Sequence, residues 1–204
     1  MRGDLFDEPE GATPLDLDDA EGLIPTWVAT RDDLNVVEQE NIAAAVAWAS
    51  SATGPRTPDA LLTEAMIRQL HWHMFGDVWK WAGKYRRRDT NIGVHWPNIA
   101  ERVCGLAADA AAQTTDLGAL PWPADELAVR FHHRLVEIHP FPNGNGRHAR
   151  LAADILVTSL GRAPFTWGIR DSGTQSVVRS TYLDALRTAD ANLDYGPLVT
   201  FARS

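Results

Sequence analysis

The amino-acid sequence predicts an all-α fold, a helical domain carrying one short β-hairpin flap. Three observations support this. From Asp32 onward apolar residues recur mostly with a period of 3.6. Proline, aspartate and glycine punctuate that pattern at helix-length intervals. One segment alone, "KYRRRDTNIGVHW" (Lys84 to Trp96), lacks a helical stripe and carries turn residues at Asp89-Thr90-Asn91 and Gly93. The chain divides accordingly into an acidic N-terminal arm, 1–31, and a single domain, 32–204.

Asp32-Asp33 can cap a first helix running through Leu34, Val37, Ile42, Ala45 and Trp48, stopped by Thr53-Gly54-Pro55. A second helix fits Leu61 to Phe75 and closes at Gly76. A third fits Pro97 to Thr114, and a fourth Pro123 to Ile138, with proline in its first turn. In the fourth, Leu127, Phe131, Leu135 and Ile138 form one stripe that Ala128, Val129 and Val136 widen, which places this helix centrally. A fifth runs from Asn145 to Leu160, stopped by Gly161, and further helices fit Gln175 to Ala191 and Pro197 to Ala202. Two short strands cannot form a core sheet, so the hairpin is expected as an exposed edge.

Composition narrows the function classes. The 204 residues suit one domain with a sizeable core. A lone Cys104 excludes an internal disulfide and a cysteine zinc site, which fits a reducing, cytoplasmic setting. The N-terminus lacks the apolar stretch of a signal peptide, and no run is long enough to span a membrane. The net charge of −8 is concentrated at the start, where residues 1–25 hold eight acids against Arg2. Such an arm is a solvated extension or a docking strip for a basic partner. With no extended basic stripe, direct nucleic-acid binding is not expected. His71, His73, His132 and His133 lack metal-ligand spacing and are expected to be buried or bonded to partners.

The chemistry concentrates in "HPFPNGNGRHAR", His139 to Arg150. Pro140 cannot continue the preceding helix, so His139 ends it beside the turn. Phe141 is expected to anchor the loop. Asn143-Gly144-Asn145-Gly146 tolerates positive φ, so successive N–H groups can point inward as an anion nest. The next helix adds its own unbonded N–H groups. Arg147 and Arg150 lie three apart, one turn deep, where helix stability alone would favour acids. The arrangement is a phosphate cradle or, more blandly, a helix–loop–helix turn with solvated arginines. His148 can be exposed or touch phosphate.

This stretch resembles the signature of the Fic (Fido) family, HxFx[DE]GNGRxxR, at every specified position except the acidic one, where Asn143 stands. "MFGDVWKWAGKYR", Met74 to Arg86, resembles the segment leading into the family's flap. The wording from "EGATPLD" and "EGLIP" onward resembles the subgroup called mobile mystery protein B. The resemblance implies a Fic fold and a protein adenylyltransferase moving AMP from ATP to a target hydroxyl. His139 would be the general base. Gly144, Asn145 and Gly146 would line the anion hole, Asn145 also bonding phosphate, and Arg147 and Arg150 would hold the β- and γ-phosphates. Asn91, Ile92, Gly93 and Val94 would form the flap that receives a Ser, Thr or Tyr segment of the target by strand addition.

Asn143 is the departure that matters. The family's acid there ligates Mg²⁺ on the phosphates, and a neutral amide is a weaker ligand. Weak Mg²⁺-dependent transfer, transfer with another nucleotide or metal arrangement, and nucleotide binding without chemistry all remain open. In the last case the chain would act through interaction, with a small helix-turn-helix protein as partner in a toxin–antitoxin-like pair. Many family members also carry an inhibitory [ST]xxxE[GN] helix. Here Glu40-Asn41 fits its end and Val36 replaces its Ser/Thr, so Glu40 is either an inhibitor pairing with Arg150 or a solvated helix residue.

Overall fold

A computed structural model describes residues 17–116, 118–169 and 174–204. The first sixteen residues of the expected arm lie outside that range. Its described remainder is docked on the domain: after α1 (Leu17–Ala20), Leu23 forms an isolated antiparallel bridge with Trp79. Ile24 N–H donates to Val78 O at 2.9 Å and Lys80 N–H to Gly22 O at 2.9 Å. Trp81 Nε1 donates to Asp19 O at 3.0 Å, and Arg88 pairs with the Asp19 carboxylate.

Helix α2 (Arg31–Ala49) starts earlier than expected because Thr30, not the aspartates, is its cap. Thr30 Oγ1 accepts from Asp33 N–H at 3.2 Å while Asp33 Oδ2 accepts from Thr30 N–H at 2.9 Å. Two first-turn donors are thereby satisfied reciprocally. The expected second helix is two, α3 (Pro58–Leu61) and α4 (Glu64–Phe75). Thr63 breaks it: extended at φ −129, it accepts from Met66 N–H at 3.1 Å and restarts the helix. A 3₁₀ turn at Trp96–Asn98 leads into α5 (Ile99–Gln113). Then follow α6 (Ala124–Ile138), α7 (Asn145–Ser159), α8 (Gln175–Asn192) and α9 (Gly196–Arg203).

As its wide apolar face requires, α6 is central. It packs along α7 and against α5 and α9, while α3 and α4 cover α7 and α2 lies on α4. Leu127, Ala128, Val129, Phe131, Leu135 and Ile138 are all buried. So are His132 and His133, partnered by Tyr182 OH (3.0 Å) and the Asp190 carboxylate (2.8 Å).

The all-α expectation holds, but the hairpin does not. Over 84–95 the structure has bends and irregular backbone and no paired strands. The limbs are separated by a buried arginine. Arg86 Nη1 donates to Arg88 O at 2.8 Å and Nη2 to Val94 O, taking acceptors that a cross-strand ladder would use. The backbone donors turn elsewhere: Arg86 N–H bonds Pro140 O at 3.0 Å and Val94 N–H bonds Ile138 O at 3.3 Å. The segment is a loop stitched to the end of α6.

Candidate active site

The site forms where α6 stops and α7 starts. His139 caps α6 in the left-handed conformation, φ 53 and ψ 60, which turns the chain sharply into Pro140. Phe141 is fully buried, stacked on His71 at 3.7 Å between centroids and edge-on to His148. Asn145 closes the loop with both ends of its amide: Oδ1 accepts from Phe141 N–H at 2.9 Å and Nδ2 donates to Phe141 O at 2.8 Å. His71 braces the loop from α4. Its Nδ1 accepts from Gly83 N–H at 3.0 Å, which fixes the tautomer, so Nε2–H donates to Asn143 O at 3.1 Å.

The two glycines differ in purpose. Gly144 has φ 78, and a Cβ there would sit 2.6 Å from the Phe75 ring, so the backbone has no room for another residue. A Cβ on Gly146 would meet nothing within 4 Å. The leading N–H groups of that helix have no intrahelical acceptor, and Gly144 supplies no side-chain cap.

The two arginines lie against different walls. Arg147 Nη1 donates to Glu38 Oε2 at 2.7 Å, and its guanidinium stands 5.0 Å from the Phe75 ring centre. Glu38 is buried, its other oxygen held by Trp79 Nε1 at 2.8 Å. Arg150 lies 5.6 Å from the Tyr182 ring centre on α8. Burial, then repulsion from Arg147 and Arg179, makes Arg150 easier to deprotonate than a free guanidinium, while Tyr182 and Asp154 oppose this. Burial pushes the Asp154 carboxyl up to about 6, although Phe165 N–H and Trp167 Nε1 bond it.

His139 is nearly buried. Burial, with a smaller push from the Arg86 cation, lowers its pKa to about 4, against the hydrogen bond to Val136 O. Its Nδ1–H donates to that carbonyl at 3.2 Å, so the neutral ring carries its basic lone pair on Nε2. Gly93, at φ 108, lies directly on this residue: a Cβ there would be 2.7 Å from His139 Cβ. Asn91 and Ile92 are exposed beside it, and Val94 is half-buried.

The structure thus brings His139, Asn143, Gly144, Asn145, Gly146, Arg147 and Arg150 to one loop and helix start, with Asn91 to Val94 alongside. It does not bring Glu40 there. Glu40 is exposed on α2, and the acid that reaches a signature arginine is Glu38, on Arg147 rather than Arg150. His148 is also corrected. It is fully buried, its Nε2–H donates to Ile67 O at 2.9 Å, and burial lowers its pKa to about 4, so it is neither exposed nor cationic.

Sequence reasoning missed Glu38, Arg86, His71 and Tyr182. Glu38 had a signal, since it shares the buried stripe of Leu34, Ala45 and Ala49. An acid on an apolar stripe needs a partner.

Asn143 Oδ1 accepts from Gly144 N–H at 2.6 Å. Among the described residues no group of three His, Cys, Asp or Glu side chains can hold a metal ion.

A helical domain with a nested anion loop between its central helices is the Fic architecture. Residues 61–157 match the Fic/DOC family model. It is 35% identical over 99 residues to a probable protein adenylyltransferase, y4lH, of Sinorhizobium fredii, covering 44% of this chain and 50% of that protein. It is 29% identical over 120 residues to the protein adenylyltransferase fic-1 of Caenorhabditis briggsae, covering 59% of this chain and 22% of the relative. The matches thus span half or less of these relatives. Among solved structures, the N-terminal Fic domain of a Bartonella quintana effector superposes with a TM-score of 0.67 at 17% identity, over 97% of this chain and 90% of that one. The Bartonella tribocorum BepC protein, solved with bound AMPPNP, gives 0.63 at 17% identity, over 86% of this chain and 87% of that one. At such identities the likeness establishes the fold.

Proposed function

We propose that the protein transfers AMP from ATP to a hydroxyl side chain of a target protein. The observation that carries this reading is His139, its Nδ1 held on Val136 O, ending α6 where the loop turns into an uncapped helix start with two arginines. Gly144, Gly146 and the first N–H groups of α7 would receive phosphate oxygens, and Arg147 and Arg150 would hold the distal phosphates from opposite walls. His139 would take the proton of the target hydroxyl as its oxygen attacks the α-phosphorus and pyrophosphate leaves. A base lowered to about 4 is weak, but the bound triphosphate's negative charge would stabilise the imidazolium and raise it. Asn145 acts here as the loop's internal clip. Magnesium would arrive on the nucleotide's phosphates, with Asn143 offering at most an amide oxygen. The target, bearing Ser, Thr or Tyr, would lie along residues 91–94.

The test is label transfer from α-labelled ATP into lysate protein. His139→Ala should abolish transfer while ATP affinity stays within a few-fold. Undiminished transfer by that variant removes His139 from the base role.

A second reading is favoured by Asn143 and by the Glu38 contact on Arg147: nucleotide binding with little chemistry, acting through a partner. ATP binding by the wild type with no transfer in any lysate would select it. The subgroup resemblance points to a small helix-turn-helix protein as that partner. The cytoplasmic setting and the 1–31 arm boundary belong to the same proposal. No described helix is long and apolar enough to cross a membrane.

A further inference from the structure

We infer that Arg86 is the positioning residue for His139, its guanidinium fixing the histidine's left-handed main chain and setting the 84–95 loop in register with it. This rests on the function proposed above. Nε donates to His139 O at 2.7 Å and Nη2 to Ile138 O at 3.4 Å as well as to Val94 O, while Nη1 donates to Arg88 O at 2.8 Å. With the backbone bonds onto Pro140 O and Ile138 O, the three consecutive carbonyls 138, 139 and 140 all accept from this one loop. The last carbonyls of a helix have no intrahelical donor. Here an arginine from another segment supplies them, at the residue whose imidazole faces the reaction.

The side chain suits this work as no other does. It is 2% exposed, and its nearest carboxylate, Asp89, stands 3.7 Å away and is 56% exposed. The buried cation is therefore held chiefly by carbonyl dipoles. Five donors in one rigid plane can span both limbs of the loop and the helix end together, whereas a lysine ammonium has three donors at a single point. His139 gains from it directly, because the left-handed conformation is strained for any residue but glycine. Gly93 completes the contact: a Cβ there would fall 2.7 Å from both Arg86 Nη2 and His139 Cβ. A target segment lying on residues 91–94 is thus indexed to the imidazole through Arg86.

The test compares wild type with Arg86→Lys, Arg86→Met and Arg86→Ala. Misplacing a reacting group by about 1 Å costs on the order of 10²-fold in rate. The turnover number for label transfer, at saturating ATP, should fall by about that factor in all three variants. ATP affinity should stay within a few-fold, because the loop N–H groups and Arg147 and Arg150 are untouched. Added guanidinium at low millimolar concentration should restore part of the rate in Arg86→Ala only. In parallel, the His139 Cα chemical shift, which reports its left-handed backbone, should move in every variant. Wild-type turnover in Arg86→Lys, or an unmoved His139 shift in both Lys and Met variants, overturns the inference. If wild type itself transfers no label, the proposed function fails, and the His139 shift alone decides the positioning role.

Discussion

The 139–146 loop and the 84–95 loop meet at His139, yet they are held in opposite ways. The first carries its own internal closure, since Asn145 bonds both polar groups of Phe141, four residues away, and Gly144 permits the turn, while His71 braces it from α4. The second owes its shape to one long side chain reaching across 52 and 53 residues to Ile138 and His139. A locally closed loop arrives at its geometry as soon as its helices do. A remotely tied one has that geometry only when the whole domain is assembled, and it is the natural place for adjustment to a target.

If this contrast is right, the largest effect on stability should come from the local loop. Gly144→Ala places a side chain at φ 78 and drives it into Phe75. Left-handed strain and overpacking cost roughly 1–3 kcal/mol each, so a loss of about 3 kcal/mol or more is expected in urea unfolding. A loss below about 1 kcal/mol would show that the loop is not closed locally.

Acid should loosen the same loop, because its braces are neutral histidines. Burial lowers His132 to about 3, His139 and His148 to about 4, and His71 well below the usual 6.5. As pH falls from 6.5 toward 4 the unfolded chain takes up protons at these positions and the folded one does not. Stability present above 6.5 is thereby lost, each histidine contributing up to about 1.4 kcal/mol per pH unit. Asp154 opposes this. Raised to about 6, it contributes stability that is full below the unfolded value of 3.8 and lost as pH rises through 6. Four histidines outweigh one aspartate, so the melting temperature should drop steadily below pH 6.5. A flat profile from 7 to 5 would mean that the histidines are protonated in the fold.

The smallest effect sharpens the contrast between fold and ligand. Gly146→Ala meets no atom and adds a better helix former, so stability should hold or rise by up to about 1 kcal/mol. Nucleotide affinity, read by calorimetry, should fall all the same if Gly146 faces the phosphates. Unchanged affinity would place them elsewhere.

Legibility in the sequence followed the same division. The helices, the central place of α6, the anchoring Phe141 and the loop with its two arginines are all consequences of neighbours within about four positions, and period, caps and turn residues report such neighbours. The hairpin misled because the chain does bend at Asn91 to Val94, while the choice between a ladder and a stitched loop was made by Arg86 and the far end of α6. His148 reads as exposed or phosphate-facing because it follows Arg147, but its surroundings are Ile67 and Phe141, distant or turned inward. Glu38 reads as a polar-face residue like Glu40, and its buried place and its partner Arg147 were both missed.

His139 occupies a spot where the backbone would rather have glycine. Replacing it with that residue relieves left-handed strain, so any selection or design procedure that scores folding stability alone is drawn to this position early. What it would discard is the imidazole that the proposed function uses as its base. Under the proposed function, position 139 is where thermal robustness and turnover are bred in opposite directions, and a stabilised descendant of this protein should be checked there first.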